Sequence, residues 1–162
     1  MQRTRSQVAS HQSRPQRAAD AGRSAANPMN VQYLNTDLEI ESKSDLSEIV
    51  EEFGEDVLLL HHGEIRGYQH ASFSIAGGST DADAAINSLC TLVEQLPRDV
   101  RAIWDGCCSR LFDVGYESGK SPQNFRSEIR AATIQRVANI GAGVVVTIYP
   151  ETERPPSGSA TY

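Results

Sequence analysis

Apolar and polar residues trade places along this chain in two rhythms, one of period two and one of period 3.6, and their order predicts an α+β fold. Over 31–41, Leu34, Thr36, Leu38 and Ile40 alternate with Asn35, Asp37, Glu39 and Glu41, which predicts a strand with one buried face. Leu46, Ile49, Val50 and Phe53 then recur at i, i+3, i+4 and i+7, a helical stripe that Ser42 or Ser44 can cap and Gly54 can end. Val57-Leu58-Leu59-Leu60 is apolar on both faces and predicts a well-covered strand within 56–62. The stretch 63–67 is a five-residue turn bounded by Gly63 and Gly67. Beyond it Ala71, Phe73 and Ile75 alternate with Ser72 and Ser74, so 68–75 reads as the second arm of a hairpin.

Gly77-Gly78-Ser79 breaks that strand, and Thr80 or Asp81 caps the longest helix, whose buried stripe is Ile86, Leu89, Cys90, Val93 and Leu96. Pro97 suits the first turn of a short helix that turns Val100, Ile103 and Trp104 inward. Phe112, Val114 and Tyr116 alternate through a strand at 110–116, a polar loop occupies 117–124, and 125–129 reads as a short extended piece. The clearest local signal closes the domain. Ile134, Val137 and Ala138 repeat at helical spacing, Gly141 stops the helix, and the β-branched run Val144-Val145-Val146-Thr147-Ile148-Tyr149 follows. The order β-α-β-β-α-(α)-β-α-β predicts a ferredoxin-like βαββαβ core extended by a C-terminal αβ unit, with helices packed on one face of a mainly antiparallel sheet.

Length and charge sharpen this picture. A chain of 162 residues suffices for one domain with a real core, placed here at 29–150. Residues 1–28 hold five arginines against Asp20, a local charge of +4, and almost no large apolar side chain. They read as a disordered basic segment, with Met29 a candidate for the true start. The tail 151–162, with Pro155-Pro156 and Ser157-Gly158-Ser159, also reads as disordered. Since the whole chain carries −6, residues 29–162 carry −10, a poor match for nucleic acid and a good one for a basic protein. No run approaches 18 apolar residues and no secretory signal is evident, so neither a membrane span nor export is expected. Cys90, Cys107 and Cys108 are odd in number and lack CxxC spacing, which suits reduced thiols in the cytoplasm better than a vicinal disulfide.

Three patterns could carry chemistry. Asp37, Glu39 and Glu41 set three carboxylates on one strand face. Alternate Cα atoms lie ~7 Å apart, so a single strand makes a poor metal cage, and a solvated face or a contact surface for a partner explains the pattern better. A hairpin symmetric about Ile65 would put His62 and His70 on one side and His61 on the other, and that pair could hold zinc together with Cys107 or Cys108. Its spacing matches no standard site, and histidines at a hairpin end are usually surface groups. Gly77-Gly78-Ser79-Thr80 resembles a phosphate-cradling loop, but the P-loop lysine and GxGxxG are both missing, so a turn with a helix cap explains it. No residue is singled out as catalytic and no cofactor is expected.

The runs Leu38-Glu39-Ile40-Glu41-Ser42, Phe112-Asp113-Val114-Gly115-Tyr116-Glu117, Ser127-Glu128-Ile129, 134–142 and Val146-Thr147-Ile148-Tyr149 are similar to a bacterial domain-of-unknown-function family of small α+β proteins. The resemblance covers about 31–149 and implies a fold, since its motifs are packing positions; no active-site residue comes with it. The expectation for function is a non-enzymatic binding protein of the accessory or immunity type, using Asp37, Glu39 and Glu41 against a protein partner. Behind it stand a small-ligand-binding regulatory domain that pairs as a homodimer, and a metal-dependent enzyme built on His62 and His70.

Overall fold

The computed structural model describes residues 30–119 and 124–150; the expectations for 1–28, Met29 and 151–162 lie outside the described residues. The chain forms β1 (Gln32–Ser42), α1 (Ser47–Phe53), a 3-10 turn (Gly54–Asp56), β2 (Val57–Ile65) and β3 (Tyr68–Ile75). It continues through α2 (Ala82–Gln95), α3 (Arg98–Asp105), β4 (Ser109–Glu117), α4 (Ala131–Asn139) and β5 (Gly143–Tyr149). The strands join in one mixed sheet of order β2-β3-β1-β4-β5. Neighbours are antiparallel except for β4 and β5, which run parallel across the α4 connection. The fold class is α+β.

Period-two alternation in the three inner strands builds one side of the core. Leu38 and Ile40 of β1, Ala71 and Phe73 of β3, and Phe112 and Val114 of β4 are buried against Ile49 and Phe53 of α1, Ile86, Leu89 and Val93 of α2, and Trp104 of α3. Phe53 meets Phe73 edge-to-face at 5.1 Å between ring centroids. Asp81 caps α2 by accepting from Ala84 N at 2.9 Å. At α1 no serine caps the helix; Asp45 Oδ1 accepts from Ser47 N at 3.0 Å, while Ser42 Oγ accepts from Ser44 N. No helix among the described residues is long and apolar enough to cross a membrane.

Several local expectations change. Leu58, Leu59 and Leu60 are about half exposed rather than well covered, because β2 is an edge strand and a bulge at Leu60 shifts its register. A similar irregularity between Tyr33 and Asn35 turns Leu34 outward. The five-residue turn shrinks to Arg66 and Gly67, both at positive φ, as a tight hairpin requires. Ile134 is exposed, and α4 instead buries Thr133 and Val137, followed by Ile140. The reason is a polar clasp that rolls α4 onto α2: Arg136 donates to Glu94, to Thr91 Oγ and to the Asn87 side chain and carbonyl.

Candidate functional site

The residues of β1 that alternate with its buried ones face away from the helices. Asn35, Asp37, Glu39 and Glu41 therefore lie on the side of the sheet that no described helix covers, and the register surrounds them. Asp37 stands between Ser74 of β3 and Asp113 of β4, Glu39 between Ser72 and Leu111, and Glu41 between His70 and Ser109. The period-two pattern of β1 points to Asp37, Glu39 and Glu41 but not to Asp113. Its signal was present: Asp113 sits between the inward Phe112 and Val114, in the same phase as Asp37, and only the β1–β4 register makes the two neighbours.

A short polar scaffold fixes this pair. Asn35 Nδ2 donates to Asp37 Oδ2 at 2.8 Å, and Thr147 Oγ1 donates to Asp113 Oδ1 at 2.7 Å. The other oxygen, Asp37 Oδ1, is buried with no hydrogen-bond partner among the described residues. Burial raises the Asp37 pKa; the Ser74 hydroxyl and the Asn35 amide oppose that rise, and the Asp113 carboxylate adds to it. The Glu39 pKa is also raised, by burial first and then by Asp113 and Asp37, against a smaller pull from His70. Glu41 has a cationic neighbour when His70 is protonated, since His70 Nε2 lies 3.6 Å from its carboxylate. The arrangement is an acidic surface held under electrostatic tension, which a cation arriving from outside would relieve.

The histidines do not assemble. His62 pairs with Ala71 and His70 with Gly63, one position apart, so the two side chains leave opposite faces of the hairpin. That corrects the shared face expected for a zinc pair, which assumed a turn centred on Ile65. No group of three or more His, Cys, Asp and Glu suited to a metal occurs among the described residues. Cys90 and Cys107 are buried thiols pushed up to about 11, chiefly by desolvation; Cys108 is exposed, and all three are free. A buried thiol shifted that far upward is a poor nucleophile at neutral pH.

A concavity of about 530 Å³ lies where α2 begins, lined among others by Tyr33, Thr80, Asp81, Phe125, Arg126 and Arg130. Its floor is structural. Asp83 is buried and accepts from Arg130 N at 2.9 Å and from Arg130 Nε at 2.7 Å. Burial pushes the Asp83 pKa up, but hydrogen bonds from Thr133 and from the Arg130 backbone and guanidinium, with the Arg130 charge, outweigh it and hold the carboxyl below its usual range. No family model matches the chain, nor does any curated protein or solved structure.

Proposed function

We propose that this is a binding protein without catalytic activity, whose uncovered acidic sheet face engages a basic protein partner in the manner of an accessory or immunity factor. The observation that carries the reading is the direct opposition of Asp37 and Asp113, with Glu39 beside them and the pKa values of Asp37 and Glu39 both raised. Placing two carboxylates side by side on a strand pair costs stability, and lysine or arginine from a partner would convert that cost into binding free energy. Glu41, already beside His70, marks one end of the face. We read the first six main elements as a ferredoxin-like core with β5 added at one edge; the strand order and the antiparallel neighbours up to β4 support this. The resemblance to the bacterial family over 31–149 belongs to the same proposal, as does a cytoplasmic location, which suits the three free thiols.

The test is affinity capture from the native host with the wild-type chain and with an Asp37→Asn/Glu39→Gln/Glu41→Gln variant, at low and high salt. The expected result is a basic protein captured by the wild type and lost both with the variant and at high salt. An identical set of captured proteins from both baits overturns the assignment of this face. A small-ligand-binding role is the second reading, favoured by the concavity of about 530 Å³ with Arg126 and Arg130 on its wall. It requires a metabolite that raises the melting temperature of the wild type but not of Arg126→Ala.

A further inference from the structure

The outer edge of β5 pairs with no described strand, and it lacks the features that usually protect such an edge. Gly143–Tyr149 contains no charge, no proline and no bulge. The opposite edge, β2, is interrupted by its bulge at Leu60 and carries His61, His62 and Glu64. Along β5, Val146 is 57% exposed and Ile148 65% on the helix side of the sheet, and Tyr149 is 46% exposed on the other side. Beside it an apolar groove of about 240 Å³ runs past Val31, Tyr116, Phe125 and Ile129 to Val146 and Ile148.

The backbone has a definite phase. Ser118 N donates to Tyr149 O at 2.8 Å, so Tyr149, and with it Thr147, Val145 and Gly143, turns its polar groups toward β4. The N–H and C=O groups of Val144, Val146 and Ile148 therefore point outward. We propose that β5 is a homodimer interface in which two copies pair antiparallel about a two-fold axis through Val146 and normal to the sheet, giving one continuous ten-stranded sheet.

That register satisfies every outward group at once. Val146 exchanges both hydrogen bonds with the partner's Val146, and Val144 and Ile148 exchange theirs with the partner's Ile148 and Val144. The side chains are self-complementary too. Val144, Val146 and Ile148 meet their own kind on the helix side. On the other side Val145 meets Thr147, and Tyr149 lies over the space that Gly143 leaves open. The exposed apolar side chains of β5, Val146 and Ile148 on the helix side and Val145 and Tyr149 on the other, amount to on the order of 400 Å² along this edge. With the strand backbone that pairing covers, this lies toward the weak side of the ~800 Å² per partner of a stable interface, which suits a dimer that dissociates on dilution. Charge does not oppose it. The two Asp113 carboxylates would be three strand spacings apart, about 14 Å, beyond the ~8 Å screening length at physiological salt.

Sedimentation equilibrium of the full chain tests this. The wild type should show twice the 17.7 kDa chain mass at about 100 µM, dissociating on dilution. Val146→Pro removes an outward N–H that pairs with no described strand. Val146→Lys sets two like charges face to face. Each should raise the dissociation constant at least about 100-fold, with circular dichroism and melting temperature close to wild type. A wild-type chain that stays at 17.7 kDa up to about 100 µM overturns the proposal and leaves the edge to another protein's strand. A dimer that survives both substitutions, or is lost instead with Leu59→Lys on β2, also overturns it.

Discussion

A β-carbon at Gly115 would stand 2.6 Å from Asn35 Oδ1, closer than real side chains approach, so the glycine makes room for the amide that holds Asp37. Gly115 has no positive φ; space, and not backbone freedom, is what it supplies. Gly115→Ala should therefore cost about 1–3 kcal/mol, as overpacking usually does. In an Asn35→Ala background the same substitution should cost clearly less. A double-mutant cycle by urea denaturation reads the coupling, and strictly additive losses would show that Asn35 is not the obstacle.

Asp37→Asn should stabilise the protein at neutral pH. The folded-state pKa of Asp37 is raised, so the native chain holds that proton more tightly than the unfolded chain does. Its favourable contribution exists below the ordinary carboxyl range and is lost as pH rises through the raised value, which leaves a charge at pH 7 that folding must partly bury. Asparagine removes the charge and can still accept from Asn35. The expected gain is about 0.5 kcal/mol, the usual size of a cross-strand charge pair, or roughly 2 °C. Melts at pH 7 and pH 3 check the sign: the gain should be present at the first and absent at the second.

Asp83 should behave in the opposite sense. Its pKa is depressed, so its contribution is present above the ordinary carboxyl range and disappears as pH falls through the lowered value. Asp83→Ala removes the acceptor for Arg130 N and for the guanidinium and should cost about 2 kcal/mol at pH 7. The loss should shrink on acidification. A constant difference between the two proteins across the acid range would mean that the ion pair contributes nothing beyond packing.

Much of the fold could be read from the chain because its elements follow from side-chain period, which is local. The stripes Ile86-Leu89-Cys90-Val93 and Phe112-Val114-Tyr116 are buried as their spacing implies. What could not be read depends on who sits next to whom. Leu58–Leu60 look like a central strand until the sheet order puts them at an edge. Ile134 looks buried until Arg136 turns α4 onto α2. The same limit applies to the candidate face. Asp37, Glu39 and Glu41 were visible as a pattern, whereas Asp113 lies more than seventy residues away and joins them only through the β1–β4 register. The histidine pair failed for a related reason: His62 meets Ala71 rather than Tyr68, and an odd shift in a hairpin register sends a side chain to the other face.

The three thiols should separate cleanly by reactivity. Cys108 is exposed, while Cys90 and Cys107 are buried with pKa values pushed up to about 11. Iodoacetamide at pH 7.5 should add one label to the native chain and three after denaturation, counted by intact mass. Rapid labelling at Cys107 in the native state would contradict the packing around α3.

Trp104 ties the far end of the fold together, and its removal tests how much of the stability passes through a single bond. Its ring is fully buried, and Nε1 donates to Ile140 O at 2.8 Å, joining α3 to the end of α4 across 36 residues. Arg110 reinforces the same junction by donating to the carbonyls of Gly141, Trp104 and Asp105. Trp104→Phe keeps an aromatic ring but loses the donor and some volume, so the Ile140 carbonyl is left short of its partner in a dry site; the expected cost is about 2 kcal/mol. Arg110→Ala, at the exposed rim, should cost less, about 1 kcal/mol. Because both side chains hold the same helix end, the double variant should lose less than the two single losses combined, measured by chemical denaturation followed by circular dichroism. Full additivity would mean that the two contacts act on separate parts of the structure.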